Sequence, residues 1–514
     1  MGTFSRQEEL PPLPLPDLNE TLDRYLKSAL VLLDNNQRRK TRESVELEEW
    51  WYDAYCEARL PLVPYVSLAA TNSLLNPLDG SQICRAADAI YYWMLFWEKI
   101  RKETLAVTKS RGVVWDMHQY HCLFNACRVP ELSKDRLERY FKTESQGDCP
   151  SHVIVLCRGN VWQVETLRNG QLKSPDEFYN TLQYIDKHSK DSKFSIASMT
   201  TENRDKWAQI LHAALMGESH YQWADKSLNI VVCKDGRAIT QGEHSNVDAI
   251  VIMHIGDDVA IRSRKFVWQP KEASFEMPKH LEFDQNYEHL KAFKAANENF
   301  LTLRSSFRVK SVVFSGYGNN LMRKVNLYTD TVMQIALQLA FLKTHGRFAP
   351  IYETASTRKF FHGRTETVRG CTHEMVAFGR AVMEHKNMAD QKRLFIAAYE
   401  AHNQLMGEAM NGKGIDRHLY GLQKAMEWLR KDCKTPIPQP AIFTDEAYKI
   451  SGDSRDLTQY VERIEFFSFI GYMGENDEIG SYGYVTAMRP DGYGAFYRIG
   501  KDRCYLSSFS SICQ

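Results

Sequence analysis

The chain has 514 residues, of which 43% are hydrophobic and 25% are charged, an ordinary composition for a globular protein long enough for two or more domains. Its 65 lysines and arginines are nearly balanced by 64 acidic residues, and a net charge of +1 does not favour general nucleic-acid binding. The eleven cysteines include no CxxC pair, and apolar stretches such as 331–342 are too short to span a bilayer. These features favour an intracellular protein with reduced thiols.

Apolar residues recur at helical spacing in three segments, which are 17–33, 86–105 and 376–410. Short apolar runs typical of buried strands occur at four places, which are 152–157, 228–233, 249–255 and 308–314. The proline-rich segment 436–440 is predicted to be a loop. Because helices and strands alternate, the pattern favours an α/β or mixed α+β fold.

The segment 243–248 (Glu-His-Ser-Asn-Val-Asp) lies between two of the strand-like runs, 228–233 and 249–255. A histidine in a loop with an acid on each side can act as a base near neutral pH. Taken alone, such a histidine is more often structural than catalytic. The catalytic interpretation depends on two downstream segments, 352–356 (Tyr-Glu-Thr-Ala-Ser) and 363–367 (Gly-Arg-Thr-Glu-Thr).

Together these segments resemble the carnitine/choline acyltransferase family. Further segments match the family, and they occur in the same order as in its members. They are 10–16 (proline-rich), 48–51 (Glu-Glu-Trp-Trp), 119–130 (Gln-Tyr-His-Cys-Leu-Phe-Asn-Ala-Cys-Arg-Val-Pro), 334–340, 416–419 (Asp-Arg-His-Leu) and 491–494 (Asp-Gly-Tyr-Gly). The runs 362–367 and 497–503 are most similar to the octanoyltransferases, the medium-chain peroxisomal branch of the family. The resemblance implies an acyltransferase that moves an acyl group between coenzyme A and carnitine.

The resemblance also implies a fold of two halves, each similar to chloramphenicol acetyltransferase, with an active-site tunnel at their interface. One half is expected to consist of 1–45 plus 286–514 and to bind carnitine and coenzyme A. The other, 46–285, is expected to carry the catalytic histidine.

His244 matches the general base of the family, and Asp248 matches the acid that supports it four residues later. Ser468 matches a hydroxyl that stabilises the oxyanion, whereas Phe466 and Phe467 stand where relatives carry two further hydroxyl residues. No GxSxG motif indicates a covalent acyl-enzyme, so direct transfer is expected.

Four residues match positions that contact the carnitine carboxylate in the family: Tyr352, Thr365, Thr367 and Arg417. Hydroxyls and a guanidinium suit a planar anion because each donates directed hydrogen bonds to its oxygens. Choline-specific relatives carry Val-Asp-Asn in place of the Thr-x-Thr pair; without the resemblance, a polar turn would be the better interpretation. Gly483 falls where short-chain relatives carry methionine, which implies room for a longer acyl chain.

The coenzyme A pattern of the family is Gly-Lys-x-x-x-Lys followed by an aspartate. Here the corresponding residues are Asn319, Arg323 and Asp330, with Lys324 next to the arginine. Arginine can replace the second lysine because it pairs with phosphate, whereas Asn319 removes one positive charge. Coenzyme A is expected as a substrate, and neither a metal nor a permanently bound cofactor is expected.

The chain is shorter than family members before 48–51, between 201 and 223 and after 509, and it is longer around 474–481. Two hypotheses therefore remain. The first is a carnitine acyltransferase with medium-chain preference, acting on acyl-CoA and L-carnitine as a monomer. The second is a catalytically weakened or inactive member that binds coenzyme A or acyl-CoA. The resemblance implies a peroxisomal location, although 511–514 is not a Ser-Lys-Leu type address, and a cytoplasmic location is the alternative.

Overall fold

The computed structural model describes the residues 2–29, 52, 55–62, 67–71, 81–110, 112–192, 199–200, 223–234, 236, 238–265, 268–283, 286–432, 440–444, 483–484 and 492–511. Their α-helices are α1 (Leu18–Ala29), α2 (Gln82–Arg101), α3 (His118–Cys122), α4 (Pro175–His188), α5 (Ala249–Lys265), α6 (Tyr287–Ser305), α7 (Asn319–Lys324), α8 (Thr329–His345), α9 (His373–Met383), α10 (Met388–Met410), α11 (Asp416–Asp432) and α12 (Ala441–Thr444). Among these residues, no helix has the length and apolarity needed to cross a membrane.

The strands are β1 (Ser67–Thr71), β2 (Lys109–Ser110), β3 (Val113–Val114), β4 (Ala126–Val129), β5 (Arg136–Arg139), β6 (Val153–Cys157), β7 (Asn160–Val164), β8 (Leu167–Arg168), β9 (Gln171–Leu172), β10 (Leu228–Val232), β11 (Ala238–Glu243), β12 (Lys279–Leu281), β13 (Phe307–Phe314), β14 (Glu353–Ser356), β15 (Thr365–Val368), β16 (Gly483–Tyr484), β17 (Tyr493–Ile499) and β18 (Cys504–Ser511). The predicted mixture of helices and strands is confirmed.

Two antiparallel sheets and one hairpin organise the part of the fold that concerns the site. The first sheet has the order β10-β11-β1-β16, so the strand that leads to His244 lies between two others. The second has the order β13-β18-β17. The hairpin is β14-β15, in which Thr354 pairs with Thr367 and Ser356 with Thr365.

Several predicted elements are confirmed at nearly their predicted bounds, namely helix 86–105 as α2 and the strands 152–157, 228–233 and 308–314 as β6, β10 and β13. Helix 17–33 is confirmed through Ala29, and its remainder lies outside the described residues. The predicted helix 376–410 is two helices, because Asn387 caps α10 by accepting a hydrogen bond from Asp390 N at 2.9 Å. The proline-rich segment 436–440 lies outside the described part except for its last residue.

The strand prediction for 249–255 is wrong, because this run begins the 17-residue helix α5. A continuous apolar run is compatible with either element, and here both Val251 and Ile255, one helical turn apart, are fully buried. They pack in the main hydrophobic core with aromatic residues of α2 such as Trp93 and Phe96. His244 therefore lies between a strand and a helix rather than between two strands.

The N-terminal segment contacts distant parts of the chain. In α1, Leu22 and Tyr25 pack against Leu419 and Leu422 of α11. A C-terminal strand, β16, likewise joins the sheet that contains β11 from the first half of the chain. The predicted domain boundaries, 1–45 plus 286–514 and 46–285, stay a prediction.

Candidate active site

His244 follows β11 directly, and its imidazole is oriented by its own loop. Its Nδ1 lies 2.9 Å from the carbonyl oxygen of Val247. Because a carbonyl only accepts hydrogen bonds, Nδ1 must carry the proton, and Nε2 of the neutral ring keeps its lone pair. The His244 side chain is 17% exposed, so it remains accessible at the end of a buried strand. This tautomer is the one that a base acting through Nε2 requires.

Asp248 lies beside the imidazole, with Oδ1 3.7 Å from His244 Nδ1. Its carboxylate is buried and is bound by Arg364 Nη2 at 2.8 Å and by Gln119 Nε2 at 2.7 Å. Burial alone would raise the pKa of Asp248, but the Arg364 charge, the interaction with the His244 imidazole and these hydrogen bonds lower it below its usual value. Asp248 is therefore a stable anion next to the histidine, able to stabilise an imidazolium.

Arg364 holds the main chain of the histidine loop as well as Asp248. Its Nη1 donates to the carbonyl oxygen of Ser245 at 2.6 Å, and its Nη2 donates to that of His244 at 2.7 Å. The guanidinium lies over the Tyr55 ring at 5.3 Å from the centroid. Although its burial opposes the charge, Asp248 raises the pKa of Arg364, so this cation is permanent. One buried guanidinium thus fixes the loop on which His244 lies.

The four predicted carnitine-binding residues lie together around the Arg417 guanidinium. Arg417 Nη2 lies 2.9 Å from Tyr352 Oη and 3.3 Å from Thr365 Oγ1, and Nη1 lies 3.4 Å from Thr367 Oγ1. Arg417 is in the first turn of α11, Tyr352 precedes β14, and both threonines lie on β15. Alternation along β15 places the two threonines on one face of the strand. A guanidinium with three hydroxyls can bind a carboxylate through directed hydrogen bonds.

The histidine loop and this hydroxyl cluster are joined by two consecutive residues. Arg364 binds the His244 loop, and the carbonyl oxygen of the next residue, Thr365, accepts a hydrogen bond from Arg417 Nε at 2.9 Å. Just before them, the backbone of Gly363 closely approaches that of Thr357. A Cβ at this position would lie 2.0 Å from the carbonyl oxygen of Thr357, so only glycine fits. One short segment, 363–365, thus connects the His244 loop to the Arg417 cluster.

Glu366, between the two threonines, is buried beneath the cluster. Its Oε1 accepts hydrogen bonds from the backbone N–H of Thr367 at 2.7 Å and of Arg417 at 3.3 Å. Burial raises the pKa of Glu366 to about 7, although the Arg417 charge opposes this shift. For Arg417, burial is outweighed by attraction to Tyr352 and Glu366, so its pKa is raised and its charge is retained. Glu366 therefore changes charge near neutral pH under a cation that does not.

The predicted coenzyme A residues lie on α7 and at the start of α8. Asn319 is not a simple substitute for a lysine, because its Oδ1 accepts a hydrogen bond from Thr329 Oγ1 at 2.9 Å. Arg323 and Lys324 are exposed in the last turn of α7. Asp330 is buried and accepts a hydrogen bond from Tyr497 Oη at 2.7 Å. Two cations are thus available to a phosphate, while the aspartate has a role inside the fold.

Gly483, the predicted acyl-pocket residue, lies on β16 opposite Ala70, which in turn pairs with Thr240 of β11. It is thus in the sheet that leads to His244. The predicted oxyanion residue Ser468, the neighbouring Phe466 and Phe467, and the extra residues around 474–481 lie outside the described residues.

Two residues that organise the site were not assigned a role from the sequence, Arg364 and Gln119. Both lie in segments that resemble the family, 363–367 and 119–130. A charged or amide side chain inside such a segment was the available signal. Sequence alone does not show that Gln119 and Arg364 meet at the same carboxylate, 129 and 116 residues away along the chain.

A mixed α/β fold that brings a loop histidine close to a cluster of one guanidinium and three hydroxyls is compatible with an acyltransferase. The Choline/Carnitine o-acyltransferase family matches residues 47–216 and 211–513. The chain belongs to this family and is an acyltransferase.

Individual relatives agree with this membership. Peroxisomal carnitine O-octanoyltransferase of Homo sapiens is 29% identical, over 98% of this chain and 92% of the relative. Mitochondrial carnitine O-palmitoyltransferase 2 of Bos taurus is 25% identical, over 99% of this chain and 90% of the relative. Among solved structures, a trichothecene 15-O-acetyltransferase from Fusarium sporotrichioides is 11% identical with a TM-score of 0.38, covering 98% of this chain and 94% of that chain, a similarity too low to carry an argument.

Proposed function

We propose that the protein is a carnitine O-acyltransferase that moves a medium-chain, octanoyl-like acyl group reversibly between coenzyme A and the carnitine hydroxyl, with His244 as general base. The observation that carries the proposal is the connection between His244 and the Arg417 cluster through Arg364 and Thr365. An alcohol that also bears a carboxylate fits such a site, since its carboxylate can bind while its hydroxyl meets the imidazole.

In the proposed reaction, His244 Nε2 takes the proton of the carnitine hydroxyl as its oxygen attacks the thioester carbonyl. Val247 holds the Nδ1 proton, and Asp248 stabilises the imidazolium that forms. The tetrahedral intermediate then loses the sulfur of coenzyme A, which receives the proton from Nε2. Ser468 is proposed to donate to the oxyanion. The ester and the free thiol are the products, and the reverse reaction uses the same groups.

The acceptor preference is proposed to come from Tyr352, Thr365, Thr367 and Arg417. A buried guanidinium that lies against the hydroxyls of Tyr352, Thr365 and Thr367 attracts a carboxylate strongly. Choline has no carboxylate and leaves this cation without a bound anion. Carnitine is therefore the proposed acceptor.

The chain-length preference is proposed to involve Gly483. The strand register places it two strands across and four residues along from His244, about 16 Å at the usual spacings. That distance is longer than an extended octanoyl chain, so a side chain at position 483 would meet only the distal methylenes, and only if it projects toward His244. The 29% identical human peroxisomal carnitine O-octanoyltransferase supports a medium chain and a peroxisomal location.

A second candidate is a family member that binds acyl-CoA but transfers it poorly. The position of Asn319 favours it, since this side chain is bound to Thr329 and adds no charge beside Arg323 and Lys324. Such a protein would keep the fold and the pockets while catalysing little transfer.

The test is release of free thiol from octanoyl-CoA by the purified protein with L-carnitine, with choline as the matched acceptor. The proposal predicts rapid release that depends on carnitine and falls at least tenfold when choline replaces it. Acetyl-CoA and palmitoyl-CoA under the same conditions test the chain length. Binding of octanoyl-CoA without carnitine-dependent release would establish the second candidate instead.

A further inference from the structure

A second buried guanidinium, Arg128 near the end of β4, binds the histidine loop in addition to Arg364. It is fully buried, and its Nη1 lies 3.0 Å from Ser245 Oγ and 3.5 Å from Glu243 Oε1. Glu243 Oε1 also accepts hydrogen bonds from Ser245 Oγ at 2.5 Å and Ser245 N at 3.0 Å. The residues immediately before and after His244 are therefore bound to Arg128, and Arg128 is not among the residues proposed to bind the substrates.

Arg128 belongs to a group of four charges that sum to zero. Its Nε lies 2.7 Å from Asp135 Oδ2, and Arg59 Nη2 lies 3.0 Å from Asp135 Oδ1. The side chains of Arg128, Glu243 and Asp135 are almost completely removed from solvent, whereas Arg59 is 19% exposed. Within the described part of the chain, Glu243 Oε2 is buried and has no hydrogen-bond partner. The positive charge of Arg128 is therefore the main compensation for the negative charge of this carboxylate. Loss of either charge would leave an uncompensated buried charge beside the base.

Other charged and titratable groups around the loop also act on His244, and they come from several elements: Asp248 after the loop, Arg364 before β15, Arg139 of β5, which donates to Asn246 Oδ1 at 3.0 Å, and Tyr55, whose ring centroid is 5.3 Å from that of His244. Asp248 and Arg364 already pair with each other. The balance between Glu243 and Arg128 is thus a separate contribution to the potential at the imidazole.

We propose that Arg128 and Glu243 are positioning residues that set the pH range in which His244 acts as a base. This inference rests on the proposed function of His244. With both charges present, the group of four is neutral. The proton affinity of the imidazole is then set mainly by Asp248 and Arg364. Removal of Glu243 leaves a positive charge that disfavours imidazolium, and removal of Arg128 leaves a negative charge that favours it.

The test compares the pH dependence of kcat/KM for carnitine, with octanoyl-CoA as donor, in wild type, Glu243→Gln and Arg128→Met. The acid limb of this profile reports protonation of the base in the free enzyme. Glu243→Gln should move the limb to lower pH and Arg128→Met to higher pH, each on the order of 1 pH unit. Arg59→Met is the matched control, since it makes the same charge change at the far side of Asp135, where solvent screens it. Its shift should be upward and clearly smaller.

Opposite shifts separate positioning from a structural role, because partial unfolding scales the rate without moving the limb. Unmoved limbs, shifts of the same sign, or an equal shift in Arg59→Met would overturn the inference. If Arg128→Met does not fold, the neutral, nearly isosteric Glu243→Gln decides alone. Retained activity in His244→Ala would instead overturn the proposed function, so the two failures are distinguishable.

Discussion

Replacing Arg364 by methionine should destabilise the protein in a pH-dependent way. The substitution keeps a long apolar side chain but leaves Asp248 buried without its cation and removes the donors to the carbonyl oxygens of His244 and Ser245. Breaking a buried ion pair on one side costs about 3 to 5 kcal/mol. For a 514-residue chain that unfolds as a unit, the entropy of unfolding is about 1 kcal/mol per kelvin, so Tm should fall by about 3 to 5 °C at pH 7.

The pH dependence follows from Asp248. In the wild type its pKa is lowered, so the stability that the pair contributes is present above the unfolded pKa and is lost only as pH falls through the lower folded value. Without Arg364, burial becomes the dominant effect and raises the folded pKa of Asp248. The variant then takes up a proton as pH falls, and its deficit in Tm should shrink between pH 7 and pH 5.

Thermal denaturation followed by circular dichroism at pH 7 and pH 5 measures both effects. Arg262→Met is the matched control, because Arg262 pairs with Asp258 at 2.8 Å in an i,i+4 pair that is partly exposed. Exposed pairs contribute less than about 1 kcal/mol, so its Tm should change by about 1 °C or less at either pH. A decrease in the Tm of Arg364→Met that is no larger than in the control, or that grows toward pH 5, would refute the proposed role of Arg364 in holding Asp248 and the His244 loop.

Three further changes test the substrate sites. Arg417→Ala should raise the KM for carnitine at least 30-fold, because the bound carboxylate loses its charged partner, while the KM for octanoyl-CoA should change less than about threefold. Steady-state kinetics measures both constants, and an equal rise in both would contradict the proposed carnitine site. Gly483→Met should lower kcat/KM for octanoyl-CoA about 100-fold and spare acetyl-CoA, since excluding three or four methylenes costs about 2 to 3 kcal/mol; a parallel loss with both donors would exclude this role. Burial raises the pKa of Glu366 to about 7 from 4.5, so the Tm of wild type relative to Glu366→Gln should fall by up to about 3 °C as pH rises from 4.5 to 8; a difference independent of pH would show that Glu366 does not titrate there.

The sequence predicted which residues lie together around Arg417 better than it predicted the elements on either side of His244. Tyr352, Thr365, Thr367 and Arg417 are far apart along the chain, yet the resemblance grouped them and the structure brings them together. The run 249–255, in contrast, was assigned as a strand and is a helix. A run of six apolar residues and one histidine does not distinguish a buried strand from the first two turns of a buried helix.

The partners of buried charges were beyond the reach of the sequence. Arg364, Arg128 and Gln119 were all visible within segments that resemble the family, but each binds a residue more than 100 positions away. Which acid meets which arginine depends on how β4, α3 and the β14–β15 hairpin pack around one loop. This packing is a tertiary property that neither periodicity nor local propensity contains.

The central claim is that His244 is the general base, and the most direct measurement is the turnover of His244→Ala with octanoyl-CoA and L-carnitine. The account predicts a loss of about 10²- to 10⁴-fold in kcat, with binding of octanoyl-CoA by calorimetry retained. His280→Ala, a partly exposed histidine on β12, is the matched control and should keep wild-type turnover. Turnover of His244→Ala close to that of the wild type would contradict the account.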